Sequence, residues 1–162
     1  MTASIFMIDG SGALVAMKRA PFVNEYEFQL LLEKYPELLI GDQIEPDSPR
    51  RWVLIKREMG VPGGEDSSGD WSLDHLFLDQ DGIPTLVEVK RAENTELRRK
   101  VVAQMLDYAA NAVVYWPVDV LRGRLEQRLS DEGRDPDAEL RIRLGVEAEH
   151  IESFWERVAT NL

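Results

Sequence analysis

Short apolar runs separated by turn-forming residues dominate the first 90 positions of the chain and predict β-strands. Two such runs, Ser4 to Ile8 and Ala13 to Met17, flank Asp9-Gly10-Ser11-Gly12, a pattern typical of a β-hairpin. Three further strands are predicted at 51–57, 71–79 and 83–90. Gln80-Asp81-Gly82 joins the last two, and its glycine suits the left-handed position that closes a three-residue hairpin loop.

Apolar positions spaced by three and four residues predict helices. The first helix begins at Asn24, which forms a capping-box pattern with Glu27, and it ends near Pro36. Its predicted apolar face consists of Phe28, Leu31, Leu32 and Tyr35.

A long helix is predicted from Thr95 to about Tyr115, where Trp116-Pro117 breaks it. Its predicted core face carries Leu97, Val101, Met105, Leu106 and Ala109. Three more helices follow at 118–129, 136–144 and 147–158.

The resulting order, ββ-α-βββ-α-ααα, predicts an α/β fold in which helices flank a central sheet and a helical C-terminal tail follows. We divide the chain into an N-terminal hairpin at 1–20, an α/β core at 21–116 and a C-terminal helical extension at 117–162. The chain stops at Leu162 without a helix cap, which leaves open that this extension continues in a longer natural protein.

Composition narrows the chemistry that these elements can carry. The 162 residues include no cysteine and two histidines, which excludes disulfides and thiolate metal sites. No apolar run is long enough to span a bilayer and no basic segment precedes an apolar one near the N-terminus, so we expect a cytoplasmic protein without membrane contact. The net charge of −11 disfavours general nucleic-acid binding unless a local basic surface or a bound cation supplies it.

The register of the second hairpin brings charged residues together. With Asp79 opposite Ile83, Asp74 lies directly opposite Glu88, and Lys90 lies on the same face two residues further on. Two opposed carboxylates destabilise a sheet unless a cation compensates them. Mg²⁺ or Mn²⁺ is the natural choice because these ions prefer oxygen ligands and can polarise a phosphoryl group.

The same residues have an alternative interpretation as the solvated face of an edge strand, with Asp74 paired to Lys90. The apolar neighbours Leu86, Val87 and Val89 instead favour a central strand.

Asp74 followed by Glu88-Val89-Lys90 resembles the motif of the PD-(D/E)xK, or restriction-endonuclease-like, nuclease superfamily. Gln104 and Tyr108 resemble the Q-x-x-x-Y element that follows this motif in several branches. The segment from Glu25 to Leu39 is similar to a helix of uncharacterised bacterial members and of relatives of an archaeal mismatch-directed endonuclease. One departure is Leu73, which stands where the motif has proline.

The resemblance implies a mixed central β-sheet flanked by helices and a Mg²⁺- or Mn²⁺-dependent endonuclease, with DNA favoured over RNA as substrate. It implies metal ligands at Glu25, Asp74 and Glu88 and at the carbonyl of Val89. Lys90 would position the attacking water, while Gln104 and Tyr108 would support the site or contact the nucleic-acid backbone. Glu27 competes with Glu25 for the role of extra ligand. Because Glu27 is already the capping-box partner of Asn24, Glu25 is favoured.

Basic residues near this motif predict a nucleic-acid surface of Arg91, Arg98, Arg99 and Lys100. A second basic group lies at Arg50, Arg51, Lys56 and Arg57. His75 points away from Asp74 along the strand, so we expect a packed or hydrogen-bonded residue rather than a catalytic base.

Two rival hypotheses remain: a non-catalytic nuclease-like module that binds nucleic acid or protein within a larger protein, and a purely structural domain with a charged sheet. One site per chain cuts one strand, so cleavage of both strands would require a homodimer or two successive visits.

Overall fold

The computed structural model describes residues 5–18, 20, 22–61, 71–90 and 95–162. Within these ranges the strands are β1 (Ile5–Ile8), β2 (Leu14–Met17), β3 (Trp52–Val61), β4 (Trp71–Asp79) and β5 (Pro84–Val87). The helices are α1 (Glu25–Lys34), α2 (Gly41–Ile44), α3 (Thr95–Tyr115), α4 (Val118–Asp131), α5 (Pro136–Leu144) and α6 (Ile151–Asn161). Short 3₁₀ turns occur at Pro36–Leu38 and Ala148–His150. The chain is therefore an α/β protein with a helical C-terminal part.

The described strands form two antiparallel sheets, one of β1 and β2 and one in the order β3-β4-β5. The predicted register of the β4–β5 hairpin is confirmed, because His75 pairs with Val87 and Leu78 pairs with Pro84. Every pairing among the described strands is antiparallel, so the parallel component of a mixed sheet is not seen there.

The predicted central position of β5 is wrong for the described sheet, in which β4 is the middle strand and β5 the edge. β5 also ends at Val87 rather than at Lys90. Its apolar sequence has another cause: Leu86 packs on the main hydrophobic core, whereas Val87 packs on a smaller cluster of Trp52, Leu54 and Phe77. An edge strand between two apolar layers has the same sequence pattern as a central strand.

The main core lies between the β3-β4-β5 sheet and helices α3 to α6. Leu121, Leu125 and Leu129 of α4 and Phe154 and Val158 of α6 are all buried within it. The boundary that we place at residue 117 therefore divides the sequence, but the core continues across it. Burial of these apolar side chains is the main favourable term in folding.

Polar anchors join α4 and α3 to strand β3. The β3–β4 register shifts between Leu54 and Lys56, and the Arg128 guanidinium donates to the carbonyls of Leu54 at 2.6 Å and Ile55 at 3.4 Å. The Trp116 indole N–H donates to the Gly60 carbonyl at 3.0 Å. Leu54 and Ile55 are buried, so their carbonyl groups would cost free energy without such donors.

The predicted start of α1 is confirmed. The Asn24 side chain accepts a hydrogen bond from the Glu27 amide at 2.8 Å, and the Glu27 carboxylate accepts one from the Val23 amide at 2.9 Å. The predicted apolar face is only partly correct, since Leu32 is buried while Tyr35 is exposed.

Helix α3 has the predicted bounds but presents a different face to the core. Tyr108 and Ala112 are buried, whereas Leu106, which we placed on the core face, is exposed. Trp116, just beyond the helix, is also buried and stacks edge-on against Tyr108. These two large aromatic side chains determine which side of α3 faces the sheet.

We expect Gly41→Ala to destabilise the protein by about 1–3 kcal/mol, because overpacking a close backbone approach forces the chain apart. A Cβ at Gly41 would lie 2.0 Å from the Arg50 carbonyl oxygen. The matched variant Gly123→Ala places a methyl group in open space on α4 and should stabilise by about 0.5–1 kcal/mol. Urea unfolding of both proteins measures the two opposite shifts; equal stabilities would contradict the close approach.

Candidate active site

Three carboxylates from different elements converge on one lysine. Asp74 lies in β4, Glu88 follows the end of β5, and Glu25 is the first residue of α1. The Lys90 Nζ atom lies 2.7 Å from Glu88, 3.9 Å from Glu25 and 4.0 Å from Asp74. The structure therefore brings together the Asp74, Glu88 and Lys90 that the hairpin register predicts, and it adds Glu25.

Backbone amides of the two neighbouring segments hold the Asp74 and Glu88 carboxylates. Asp74 Oδ2 accepts a hydrogen bond from the Val89 amide at 2.7 Å, and the Asp74 amide points to Glu88 Oε2 at 3.5 Å. The buried Val89 side chain anchors this short segment. Asp74 and Glu88 are thus fixed relative to each other although β5 itself ends one residue earlier.

The charges around Lys90 outweigh the effect of its partial burial. Burial lowers the pKa of Lys90, but the hydrogen bond and charge of Glu88, with the charges of Asp74 and Glu25, raise that pKa above its ordinary value. Lys90 is therefore a protonated, positively charged group at neutral pH. It can attract an anion or orient water, and it is unsuited to act as a general base.

Glu25 rather than Glu27 faces the site. The Glu27 carboxylate is used at the helix start, where it bonds the Val23 amide, whereas the Glu25 carboxylate points to Lys90. The sequence predicts that Glu27 caps the helix and so leaves Glu25 for the site. The structure gives Glu27 that capping role.

Gln104 and Tyr108 lie one turn apart on α3, as their spacing predicts. The Gln104 amide donates to the Tyr108 hydroxyl at 2.6 Å. Tyr108 is fully buried, which favours the supporting role, and its contact with nucleic acid stays a prediction. Burial, together with the charges of Glu88 and Asp74, raises the pKa of Tyr108, so its hydroxyl is neutral at physiological pH.

His75 is a buried anchor on the opposite face of β4, in agreement with the prediction of a packed residue. Its Nε2 atom lies 2.9 Å from the Gln29 carbonyl oxygen, so Nε2 carries the proton and donates. Burial lowers the pKa of His75, which favours the neutral ring. This bond ties α1 to β4 one residue from Asp74 and so positions Glu25. The alternation of strand residues indicates the packing of His75, whereas its partner on α1 has no signal in the sequence.

The predicted basic surface is only partly described. Arg99 and Lys100 are exposed near the start of α3, whereas Arg91 and the side chain of Arg98 lie outside the described part of the structure.

Two of the four residues of the second basic group form ion pairs. Arg50 pairs with Asp79 at 2.8 Å and with Asp81, and Arg57 pairs with Glu33 at 3.5 Å and lies over the Tyr26 ring. These arginines stabilise the fold, and sequence reasoning does not reveal their partners.

Comparison of the chain with protein-family models, curated proteins and solved structures found no match. Within the described ranges, no group of three or more His, Cys, Asp or Glu side chains is arranged to hold a metal ion. None of the described helices has the length and apolar character needed to cross a membrane.

We expect Lys90→Met to lower the free energy of unfolding by about 1–3 kcal/mol at low ionic strength, because the nearly buried Glu88 carboxylate loses its charged partner. Adding Glu88→Gln should restore part of this loss, with a coupling of about 0.5–3 kcal/mol. Urea unfolding of the four proteins in the double-mutant cycle measures the coupling. Lys34→Met, at an exposed lysine, serves as the control, and a coupling near zero would contradict the ion pair.

Proposed function

We propose that the protein is a metal-dependent nuclease that hydrolyses phosphodiester bonds, most plausibly in DNA. The observation that carries this proposal is the convergence of Glu25, Asp74 and Glu88 on Lys90 from three separate elements. Carboxylates that converge on one group repel each other. Charge clusters that are kept despite such repulsion are typical of functional sites.

The chemistry of the donor atoms suits a hard divalent cation, although no group of side chains in the described ranges is arranged around a metal position. Glu25, Asp74, Glu88 and the Val89 carbonyl would hold Mg²⁺ or Mn²⁺, which would supply charge stabilisation at a phosphoryl oxygen. In the protein alone the carboxylates surround the Lys90 ammonium instead. Compensation of their charge by a cation would release Lys90 from Glu88, and the ammonium could then orient water or neutralise phosphate.

The surrounding elements would support this role. The Gln104 amide donates to the hydroxyl of the buried Tyr108, and His75 holds α1 against β4. Such rigid support is what a catalytic group requires for productive geometry. The antiparallel β3-β4-β5 sheet, with α1 on the His75 side and α3 on the Leu76 side, supports a restriction-endonuclease-like arrangement as a proposal.

The alternative is a non-catalytic nuclease-like module that binds nucleic acid or protein within a larger protein. The close Lys90–Glu88 pair favours it, because an ammonium already compensates the carboxylates. The net charge of −11 is a second argument for this alternative, because an acidic protein binds nucleic acid weakly. Such binding would depend on Arg99, Lys100 and their neighbours.

We expect Mg²⁺ or Mn²⁺ to raise the melting temperature, because a cation that binds only the folded carboxylate cluster stabilises it by mass action. Asp74→Asn should abolish the rise, and Glu25→Gln should reduce it. The controls are Glu27→Gln, whose amide oxygen can keep the bond to Val23, and Asp119→Asn at an exposed site on α4. Thermal scans at matched ionic strength measure these shifts; an equal rise in wild type and Asp74→Asn would contradict the assignment.

Cleavage of supercoiled plasmid DNA in Mg²⁺ or Mn²⁺ tests the activity itself. We expect Lys90→Met to lower the rate by about 100-fold or more, as the loss of a transition-state charge does elsewhere. The metal-induced rise in melting temperature should persist in this variant, and Lys34→Met should cleave normally. A wild-type protein that binds metal but leaves plasmid, single-stranded DNA and RNA intact would favour the non-catalytic module.

A further inference from the structure

In the part of the chain that the structure describes, the β1–β2 hairpin is an apolar element that nothing covers. All eight strand residues are exposed, and seven of them are large apolar side chains between 39 and 71% exposed. The register places Ile5, Met7, Val15 and Met17 on one face and Phe6, Ile8, Leu14 and Ala16 on the other. Both faces are therefore apolar, and a two-stranded hairpin of this kind is marginally stable in water unless something packs against it.

Helix α3 carries a second uncovered apolar surface, which we call the α3 ridge. It consists of Val102, Leu106, Ala110 and Val114, which follow one another at intervals of four residues and are all exposed. Residues with this spacing form a continuous ridge on a helix, the feature through which helices pack. The ridge faces away from Tyr108 and Ala112, which contact the core, and no other described residue packs on it closely enough to bury it.

We propose that two copies of the chain form a twofold dimer in which the hairpin of each copy packs on the α3 ridge of the other. Charge favours a second copy at these places. Asp9 is the only charged residue in 5–17 and Asp107 the only one in 101–115, although 30% of the whole chain is charged. Two molecules of net charge −11 meet with least repulsion where each is nearly neutral.

The area of the two surfaces is sufficient for a dimer. At roughly 60–120 Å² per exposed apolar side chain, the four side chains on one face of the hairpin offer on the order of 240–480 Å² of apolar surface. Since interfaces are about 60% apolar, this corresponds to roughly 400–800 Å². The α3 ridge adds to it, and together they reach the approximately 800 Å² per copy of a stable interface.

The position of the charge in the hairpin argues against a lipid surface as the occupant. Asp9 accepts hydrogen bonds from Ser11 and Ala13 in the turn, so the tip that would enter a membrane first is polar. The reciprocal arrangement also buries both apolar surfaces around a single twofold axis, the symmetry of a closed dimer. The proposal does not depend on nuclease activity.

Sedimentation equilibrium of the full chain tests the dimer. We expect wild type to have twice the 18.5 kDa mass of the chain at micromolar concentration. Ile8→Lys on the hairpin and Leu106→Glu on the α3 ridge should each weaken association at least tenfold. Ile142→Lys and Ile142→Glu, at an exposed apolar residue of α5, are the matched controls and should remain dimeric. Circular dichroism confirms that each variant is folded.

Mixing Ile8→Lys with Leu106→Glu distinguishes the arrangement. A mixed dimer has one unaltered hairpin–ridge contact and one contact that pairs Lys with Glu, so association should return. A monomeric wild type, dimers that survive either substitution, or a mixture that stays monomeric would each overturn the proposal. The last result would indicate hairpin-to-hairpin or helix-to-helix contact instead.

Discussion

The turn between β4 and β5 is the constraint on which the candidate site depends. Asp79 Oδ1 accepts hydrogen bonds from the amides of Asp81 at 2.9 Å and Ile83 at 2.8 Å, while Gly82 takes a left-handed φ of 77°. Arg50 pairs with the other oxygen of this buried carboxylate and ties the turn to the start of β3. A slip of one residue would move Glu88 to the face opposite Asp74. A local turn thus determines whether two carboxylates meet at the far end of the hairpin.

The meeting of these carboxylates is unfavourable by itself, and the structure compensates it locally. Among the described residues, Lys90 supplies one positive charge beside the three carboxylates, while the Val89 amide donates to Asp74. In the function that we propose, a metal ion would compensate the remaining charge. A cluster of three carboxylates held around one ammonium differs from an ordinary surface ion pair, whose contribution to stability is small. This difference makes a metal-dependent reaction the favoured proposal over a structural role.

The features that sequence reasoning predicts correctly are those determined by nearby residues. The caps of α1, the bounds of α3, the glycine turn and the β4–β5 register all follow from residues within a few positions of one another. Contacts distant in sequence are missed: the Arg50–Asp79 pair joins positions 29 residues apart, and Arg128 reaches strand carbonyls more than 70 residues away. The core face of α3 is mispredicted for the same reason, because Tyr108 is buried in a core that includes distant strand residues such as Leu76. Likewise, β5 has a central-strand sequence because apolar clusters cover both of its faces.

Helix α3 carries residues of both the proposed nuclease site and the proposed dimer interface. Its early residues Arg99 and Lys100 are exposed and basic, and another side carries the hydrogen-bonded pair of Gln104 and Tyr108. A further side is the neutral α3 ridge. Since side chains at intervals of three and four residues share a helix face, Arg99 lies on the same face as Val102 and Leu106, whereas Gln104 and Tyr108 form a separate one. In the dimer that we propose, burial of the ridge would therefore leave the Gln104–Tyr108 pair where it is but bring Arg99 to the edge of the interface. Association and nucleic-acid binding would then be coupled through the first turn of α3.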